Sequence, residues 1–497
     1  MRWPWAPTAL AALLPALVSS VQITDTLRDA DPAQSGYLPC HNVDPSKVSQ
    51  YTRIWQSIAQ ANEFYLAKPL VYTPAGSSNE LVIVASNFNI IRVIDGATGV
   101  VQNNRTVMAP FAAYDADCGD IQTSIGITGT PVIDPATDIM YFFAKGYKDG
   151  KGPGDPNNPG STVLNGVYKM YAVRVPSLVD VPGFPVVIDG NFASNDPTRY
   201  FTGGTLLQRP SLAVIGNNIV AGFGAHCDNF NYTGMIVSVS KTAGVGVTGV
   251  QAMVASPGAP SPIPLDPKDG NGGRAGIWMS GSGLAHDGGN RVFFSTGNGR
   301  GPGVNSGTIP MSGKTYLSTL EQAAVAFSVD SGSGALTQSD WFETANFDMF
   351  NGGDRDIGSS AVALLDPTVF NGAGVNRIAV MGSKAGNVYV MDADNLGGFR
   401  MGAGGTDAII QSWSIAGSFF GGITSYPLEG GYLYLVATSG PIIAYSFSRD
   451  ANGRPVFTQA GKTAQTFEAH NTPAVTSLHG TPGTGVVCQP LEDPDIP

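Results

Sequence analysis

Charged side chains are scarce in this chain of 497 residues, where they make up 13 % of the sequence. An average soluble domain carries about 25 %. The net charge is −11, and the 27 Lys and Arg residues form no cluster. A surface that binds the phosphates of nucleic acid needs such residues grouped together. Nucleic acid is therefore not expected as a partner.

No segment reaches the roughly 18 consecutive apolar residues that a membrane-spanning helix requires. Residues 6–18 are apolar but too few, and they follow Arg2. Val18 and Ser20 are small residues at the −3 and −1 positions of a cut after Ser20. This arrangement is typical of a secretory signal peptide. We predict a signal peptide over residues 1–20, secretion and no membrane span.

Two common site motifs are also missing. The sequence has no C-x-x-C pair, which argues against a cysteine-based metal site, and no G-x-S-x-G, which argues against a serine hydrolase. Four cysteines remain, at positions 40, 118, 227 and 488. Export permits disulfides, and the sequence does not choose among the three pairings. Cys118 and Cys227 are the pair to test first, because both follow strands of neighbouring repeats.

Glycine and proline are abundant, with 64 and 35 residues, and no collagen-like period accompanies them. They separate short apolar segments, a pattern that indicates many strands joined by tight turns. Asn104 and Asn231 each begin an N-x-T sequon and are candidate glycosylation sites.

A unit of alternating strands and Gly- or Asp-rich turns recurs along the chain. The clearest copies are residues 81–99, 377–398 and 432–453, and weaker ones pair 139–147 with 168–175, 217–226 with 234–240, and 291–299 with 322–334. The copies lie about 50 to 80 residues apart, a spacing that matches four-stranded blades with insertions. A β-sandwich would instead need hairpins every 8–12 residues or so.

We therefore predict an all-β fold, a single β-propeller of about seven to eight four-stranded blades. The predicted organisation is a signal peptide over 1–20, an N-terminal extension over 21–50 and the propeller over 51–497. How the ring closes is left open between a strand near residues 52–58 and a shortened chain.

The copies at 81–99 and 377–398 resemble the repeats of the pyrroloquinoline quinone (PQQ) propellers. A more specific resemblance lies in GIWMSGSGLAHDGGNRVFFSTGNG, residues 276–299, which is similar to a segment of the quinoprotein alcohol dehydrogenases. In that family the Trp is the floor on which the flat quinone stacks, and the Asn oxygen ligates Ca²⁺. The resemblance implies cofactor binding by Trp278 and a metal contact from Asn298.

The next blade opens with GGDRDIGSS, where the family carries an acidic pair. The resemblance implies that Asp354 and Asp356 supply the catalytic base and that Asp356 also contacts the metal. Lys384 lies where the family places a basic residue against the quinone oxygens. Structural alternatives stay open: Trp278 as a packing aromatic, Asn298 and Lys384 as turn residues, and the two aspartates as capping or solvated carboxylates.

Two departures from the family stand out. His226 and Asp228 occupy the stretch where the dehydrogenases place a Ca²⁺-ligating Glu, and His is a poor ligand for Ca²⁺. We retain His226 as a candidate metal ligand. The family also uses two adjacent cysteines over the cofactor, and none are adjacent here. Without a C-x-x-C-H haem site, electrons would need an external acceptor.

Two functions follow. The resemblance implies a secreted quinoprotein-like propeller, a PQQ- and Ca²⁺-dependent oxidoreductase of small alcohols or sugars. The alternative is a non-catalytic secreted propeller that binds a glycan or a protein on a loop face, because the fold alone does not define a function.

Overall fold

The computed structural model describes residues 25–39, 41–57, 59–255, 273–299, 313, 319–468 and 472–490. The predicted signal peptide, Cys40 and most of the Pro-rich insertion at 256–273 lie outside these residues. Among the described residues, no helix is long and apolar enough to cross a membrane.

Among the described residues, seven sheets of three to five strands succeed one another along the chain, and the predicted β-propeller is confirmed. We number the sheets as blades 1 to 7. Blade 1 comprises Leu70–Tyr72, Leu81–Ala85, Ile90–Asp95 and Val101–Thr106. Blade 2 comprises Val132–Asp134, Ile139–Tyr147, Gly166–Arg174 and Val186–Val187. Blade 3 comprises Leu206–Leu207, Ala213–Ile215, Asn218–Ala225, Met235–Ser240 and Val247–Ala252.

The first four strands of blade 4 and the strands of blades 5 and 6 follow the same antiparallel order, whereas blade 7 combines a parallel and an antiparallel pair. Blade 4 comprises Ala285–His286, Arg291–Ser295, Ala323–Val329 and Leu336–Glu343, with Gly398–Phe399 added in parallel. Blade 5 comprises Ala363–Leu364, Ile378–Met381, Asn387–Asp392 and Gln411–Ser414. Blade 6 comprises Thr424–Tyr426, Tyr432–Val436, Gly440–Arg449 and Pro455–Phe467. Blade 7 comprises Tyr37–Leu38, Ala474–Thr476 and Val486–Cys488.

Short elements outside the blades complete the described chain. Two hairpins pair Phe111–Ala112 with Ser124–Ile125 and Phe192–Ala193 with Asp196–Tyr200. The α-helix is Phe347–Gly353, and the 3-10 helices are Pro45–Gln50, Ala113–Ala116, Val163–Asn165, Met279–Gly281, Ile357–Ser359 and Ala403–Gly405.

The burial pattern of the strands follows from the stacking of blades. Leu81–Ala85 alternates between buried and half-buried positions, the period expected of a strand with one face in the core. All but the first residue of Ile139–Tyr147 are buried, because neighbouring blades cover both faces of that sheet. Phe223 of blade 3 packs edge-on against Tyr168 of blade 2, with ring centroids 5.5 Å apart. Blades thus bury each other's faces, which a single sheet cannot do.

Both ends of the chain contribute strands to the sheet that closes the ring. Tyr37–Leu38 runs parallel to Ala474–Thr476, and Val486–Cys488 pairs antiparallel on the other side. The Tyr37 hydroxyl and Ser477 Oγ lie 2.9 Å apart. The strand Tyr37–Leu38, which closes the ring, therefore lies within residues 21–50, the stretch predicted as an N-terminal extension. A closing strand near residues 52–58 is not found, since residues 52–57 form no strand.

Residues 25–37, here called the axial segment, run past the first strands of six blades. Backbone bonds join Asp25 to Val71, Thr26 to Ile133, Pro32 to His286, Ala33 to Leu364, Ser35 to Ser425 and Gly36 to Val475. Gln34 is 3 % exposed; its amide donates to the carbonyls of Arg28 and Asp31 and accepts from the Gly283 N–H at 3.0 Å. The axial segment therefore ties the blades together near their common axis.

Replacing Gln34 by Ala is expected to lower the free energy of unfolding by about 2–4 kcal/mol, because it leaves buried backbone groups without partners. Chemical denaturation of both proteins measures the difference. Gln102→Ala is the matched control, since Gln102 is exposed and makes one side-chain bond, to Asp95. That variant should change stability by less than about 0.5 kcal/mol. Equal losses in the two variants would contradict a locking role for Gln34.

Candidate functional site

The six predicted site residues line one cavity of about 1240 Å³. They are His226, Trp278, Asn298, Asp354, Asp356 and Lys384. The cavity is large enough for a drug-sized ligand, since ligand pockets commonly measure about 300–1,000 Å³. The structure thus brings together residues that lie as many as 158 positions apart (226 to 384).

Loops between strands position these side chains. Trp278 precedes the 3-10 helix Met279–Gly281 that leads into blade 4, and Asn298 follows the strand Arg291–Ser295. Asp354 is the left-handed cap of the α-helix, with φ of 51°. Lys384 lies in the turn between the second and third strands of blade 5. Each residue lies at an end of a strand or helix, where side chains are free to face a cavity.

Lys384 lies between the two aspartates. Its Nζ is 3.1 Å from Asp354 Oδ1 and 2.8 Å from Asp356 Oδ1. The side chain of Asp354 is 71 % exposed, whereas that of Asp356 is 10 % exposed. Burial raises the pKa of Asp356 although Lys384 acts against it. Hydrogen bonds from Asn298 and Lys384 outweigh burial and lower the pKa of Asp354.

The two carboxylates are therefore not equivalent. Asp356 is enclosed, and burial raises the pKa of its carboxyl above the ordinary value. Its Oδ1 contacts the Lys384 ammonium but accepts no well-directed hydrogen bond. Asp354 is solvated and remains ionised. The pair thus places an enclosed carboxyl, Asp356, and a solvated carboxylate, Asp354, on either side of the Lys384 ammonium.

An amide network supports Asn298. Its Nδ2 donates to Asp354 Oδ1 at 2.8 Å, and its Oδ1 accepts from Gln322 Nε2 at 2.9 Å. Gln322 also donates to Asn351 Oδ1 and accepts from the Ile357 N–H. The sequence interpretation gave Gln322 no role, although it immediately precedes a recognised strand. In this orientation the amide nitrogen of Asn298 faces Asp354. A cation bound at the carboxylates would therefore require the amide group to rotate so that its oxygen faces the cation.

His226 contacts a buried lysine. Its Nε2 lies 2.8 Å from Lys145 Nζ, which also donates to the carbonyls of Gly204 and Leu206. Lys145 is fully buried, and its Nζ is 4.4 Å from the centroid of the Phe111 ring. Burial lowers the pKa of both groups well below their ordinary values, and the charge of Lys145 adds to the effect on His226. A metal ion bound at Nε2 would compete with the lysine.

Because folded His226 stays neutral at pH values where the unfolded chain protonates it, near 6.5, its protonation opposes folding. The free energy of unfolding should be fully retained above about pH 6.5. It should fall below that pH, by up to about 1.4 kcal/mol per pH unit from this group. In His226→Gln that part of the slope should disappear. Urea titrations between pH 4.5 and 7.5 measure it, with exposed His479→Gln as the control.

A disulfide borders the same cavity. Cys118 and Cys227 are bonded, with Cα atoms 5.7 Å apart, and the predicted pair is confirmed. Cys227 lines the cavity, while Cys118 and Trp278 pack against one apolar cluster that includes Phe111 and Leu207. The structure thus supplies a disulfide at the site although its cysteines are 109 residues apart. The sequence shows no adjacent pair of cysteines because the two bonded cysteines lie far apart along the chain.

Asp228, next to this disulfide, belongs to a polar group on the cavity wall. Tyr232 donates its hydroxyl to Asp228, and Arg274 Nη1 lies 3.2 Å from Asp228 Oδ2. Burial, followed by the charge of Asp228, raises the pKa of Tyr232 well above its ordinary value. Asp228 is thus already paired with a cation and a hydroxyl.

The two predicted glycosylation sequons differ in exposure: Asn231 is 1 % exposed, whereas Asn104 is exposed.

The seven sheets and the cavity that their loops enclose define the class, a β-propeller. Solved structures of this fold include a quinohemoprotein alcohol dehydrogenase from Pseudomonas putida HK5 (13 % identity, TM-score 0.54) and one from Comamonas testosteroni (13 %, 0.53). A europium-containing methanol dehydrogenase is similar as well (11 %, 0.55). The match covers 86 %, 91 % and 92 % of this chain, respectively.

The same matches cover 58 %, 75 % and 80 % of the three solved chains. This chain therefore spans little more than half of the Pseudomonas enzyme. No protein-family model and no curated protein matches the sequence. At these identities the likeness establishes the fold, and the activity has to be argued from the cavity.

Proposed function

We propose that this protein is a secreted, PQQ-dependent oxidoreductase that oxidises a small alcohol or sugar. The supporting observation is the convergence of Trp278, Asn298, Asp356 and Lys384 on one cavity, since polar groups that converge beside an aromatic platform are typical of a cofactor site. Asp354 and His226 complete the wall. An indole is suited to stack on a planar quinone.

The donor set fits a quinone with a hard cation. Asp354 and Asp356 supply carboxylate oxygens, and Asn298 would supply an amide oxygen once its amide group has turned away from Gln322. These are the ligand types that Ca²⁺ prefers. Three residues provide fewer than the six to eight oxygens that Ca²⁺ takes, about half of its shell. Oxygens of the quinone would complete it. His226 contributes little in this proposal, because its Nε2 is directed at Lys145.

PQQ, when bound, would accept the two electrons that the alcohol loses on oxidation. Asp356 takes the hydroxyl proton, because its carboxyl is enclosed and burial raises its pKa, while Lys384 stabilises the ionised form that accepts the proton. Lys384 holds a positive charge beside the reacting oxygen atoms. Trp278 would orient the flat ligand through the face of its indole.

Reconstitution of the purified protein with PQQ and Ca²⁺ tests the proposal. The expected result is a bound-quinone absorption spectrum and alcohol-dependent reduction of an artificial electron acceptor. Calorimetric titration of Ca²⁺ should show weak binding alone and tighter binding with PQQ, by the same factor by which Ca²⁺ strengthens PQQ binding. Asn298→Ala should reduce that coupling. Ca²⁺ is titrated into wild type and into Asn298→Ala, each with and without PQQ. Negligible heats in all four titrations would reject the quinone site and favour the glycan- or protein-binding alternative.

A further inference from the structure

Arg209 presents an unpaired positive charge to the cavity. It belongs to the loop that enters blade 3, between Leu206–Leu207 and Ala213–Ile215. Its Nη1 donates to the backbone carbonyls of Leu66 and Thr128, each at 3.2 Å. Within the described part of the chain, no carboxylate forms an ion pair with it, and the charged group that acts on it is another cation, Arg28.

The other cations that line the cavity are compensated. Lys384 contacts both aspartates, and Arg274 contacts Asp228 at 3.2 Å. Arg28, outside the lining, has Asp29 at 3.4 Å. Of these four cations, Arg209 is the one for which the described residues provide no negatively charged partner. Burying a charge without a counter-charge is costly, so its presence calls for an anionic partner.

The geometry leaves the guanidinium available. Among the described residues, the hydrogen bonds of the guanidinium are the two made by Nη1, and Arg209 lines the cavity, so Nε and Nη2 are left for a ligand. Gly281, with φ of 86°, makes room on the other side, because a Cβ there would lie 1.9 Å from Nη1. Burial and the neighbouring Arg28 lower the pKa of Arg209 to about 9, so the group still carries its charge at neutral pH.

We propose that Arg209 binds a carboxylate of the molecule that occupies the cavity, through Nε and Nη2. A planar guanidinium with two parallel N–H groups free matches a carboxylate at two points. The proposal deepens the proposed function and rests on it in part, because it assigns the ligand an acidic group. Two sources share this chemistry: a carboxylate of the quinone, or that of a hydroxy-acid substrate.

The test compares wild type, Arg209→Met, Arg209→Lys and the exposed control Arg454→Met. Binding of PQQ and of its trimethyl ester is followed by quinone absorbance, and binding of malate by calorimetry, with thermal midpoints to verify folding. If Arg209 binds the quinone, Arg209→Met should weaken PQQ binding about 10- to 100-fold and ester binding less than about threefold. Arg209→Lys should fall between wild type and Arg209→Met. If it binds a substrate acid, PQQ affinity stays constant and malate binding is lost.

Unchanged affinity for both PQQ and malate in Arg209→Met would overturn the proposal. Equal weakening of PQQ and its ester would do the same, since it would indicate a structural role. Wild type that binds no PQQ would refute the proposed function separately. The malate titration would then decide: loss of binding in Arg209→Met supports the carboxylate site, and no binding to wild type refutes it.

Discussion

Replacing Asp356 by Asn should lower kcat of the PQQ-reconstituted protein about 10³-fold, within the range that removal of a general base typically costs. The amide keeps the size of the side chain but cannot accept the hydroxyl proton. The carboxyl is buried with a raised pKa. The acid limb of the wild-type pH–rate profile should therefore lie above the ordinary value of 3.8, and the variant should lose that limb. Steady-state kinetics between pH 4 and 9 measure both.

Asp354→Asn is the matched control. Both aspartates contact Lys384, so both variants remove one negative charge beside the same ammonium. Asp354 is largely exposed and keeps an ionised, hydrogen-bonded carboxylate, so its replacement should reduce kcat less than about tenfold. Equal losses in the two variants would show that the effect comes from the charge of Lys384 alone. The base would then have to be sought elsewhere in the cavity.

Removing the disulfide by Cys118→Ser and Cys227→Ser together should lower the free energy of unfolding by about 4–5 kcal/mol. The bond closes a loop with a sequence separation of 109 residues. In the chain-entropy model, a 100-residue loop contributes about 4.7 kcal/mol. With an unfolding entropy near 2.1 cal/mol/K per residue, that loss moves the thermal midpoint of a chain of this size by about 5 °C. Differential scanning calorimetry records the shift.

Cys488→Ser provides the control, because Cys488 is exposed and forms no disulfide with the other described cysteines. It should leave the midpoint in place. A reducing agent should shift the wild type to the midpoint of the double variant and leave that variant unaffected. A double variant as stable as the wild type would mean that the loop of Cys118 and the strand end at Cys227 hold together without the bond. Weaker PQQ binding in the double variant would show that the bond also shapes the cavity.

The blades could be predicted because each repeats the same local pattern of alternating strands and tight turns. Trp278, Asn298, Asp356 and Lys384 could be picked out because the short segments that hold them resemble segments of the quinoprotein alcohol dehydrogenases. The disulfide was predicted from the order of the repeats, because Cys118 and Cys227 both follow strands of neighbouring repeats. These features depend on short-range signals, which one sequence contains.

Other features depend on contacts between distant residues. Lys145 lies on a strand of blade 2, and nothing in its neighbourhood shows that His226, 81 residues later, receives its Nζ. Nothing in the sequence around Arg209, which precedes a proline, distinguishes it from other arginines. The closing strand, Tyr37–Leu38, is two residues long, too short for an alternating pattern to indicate it. In each case the partner that gives the residue its role comes from another blade.

The axial segment also sets the order of events during synthesis. Residues 25–37 leave the ribosome early, but their bonds to Ser425 and Val475 require blades made about 400 residues later. At about 5–20 residues per second, this delay is on the order of 20 to 80 seconds. Through that time the segment has to remain unpaired at its later positions while blades assemble one after another. The last step of folding is therefore the pairing of residues 25–37, which are synthesised early, with blades 6 and 7, which are synthesised late.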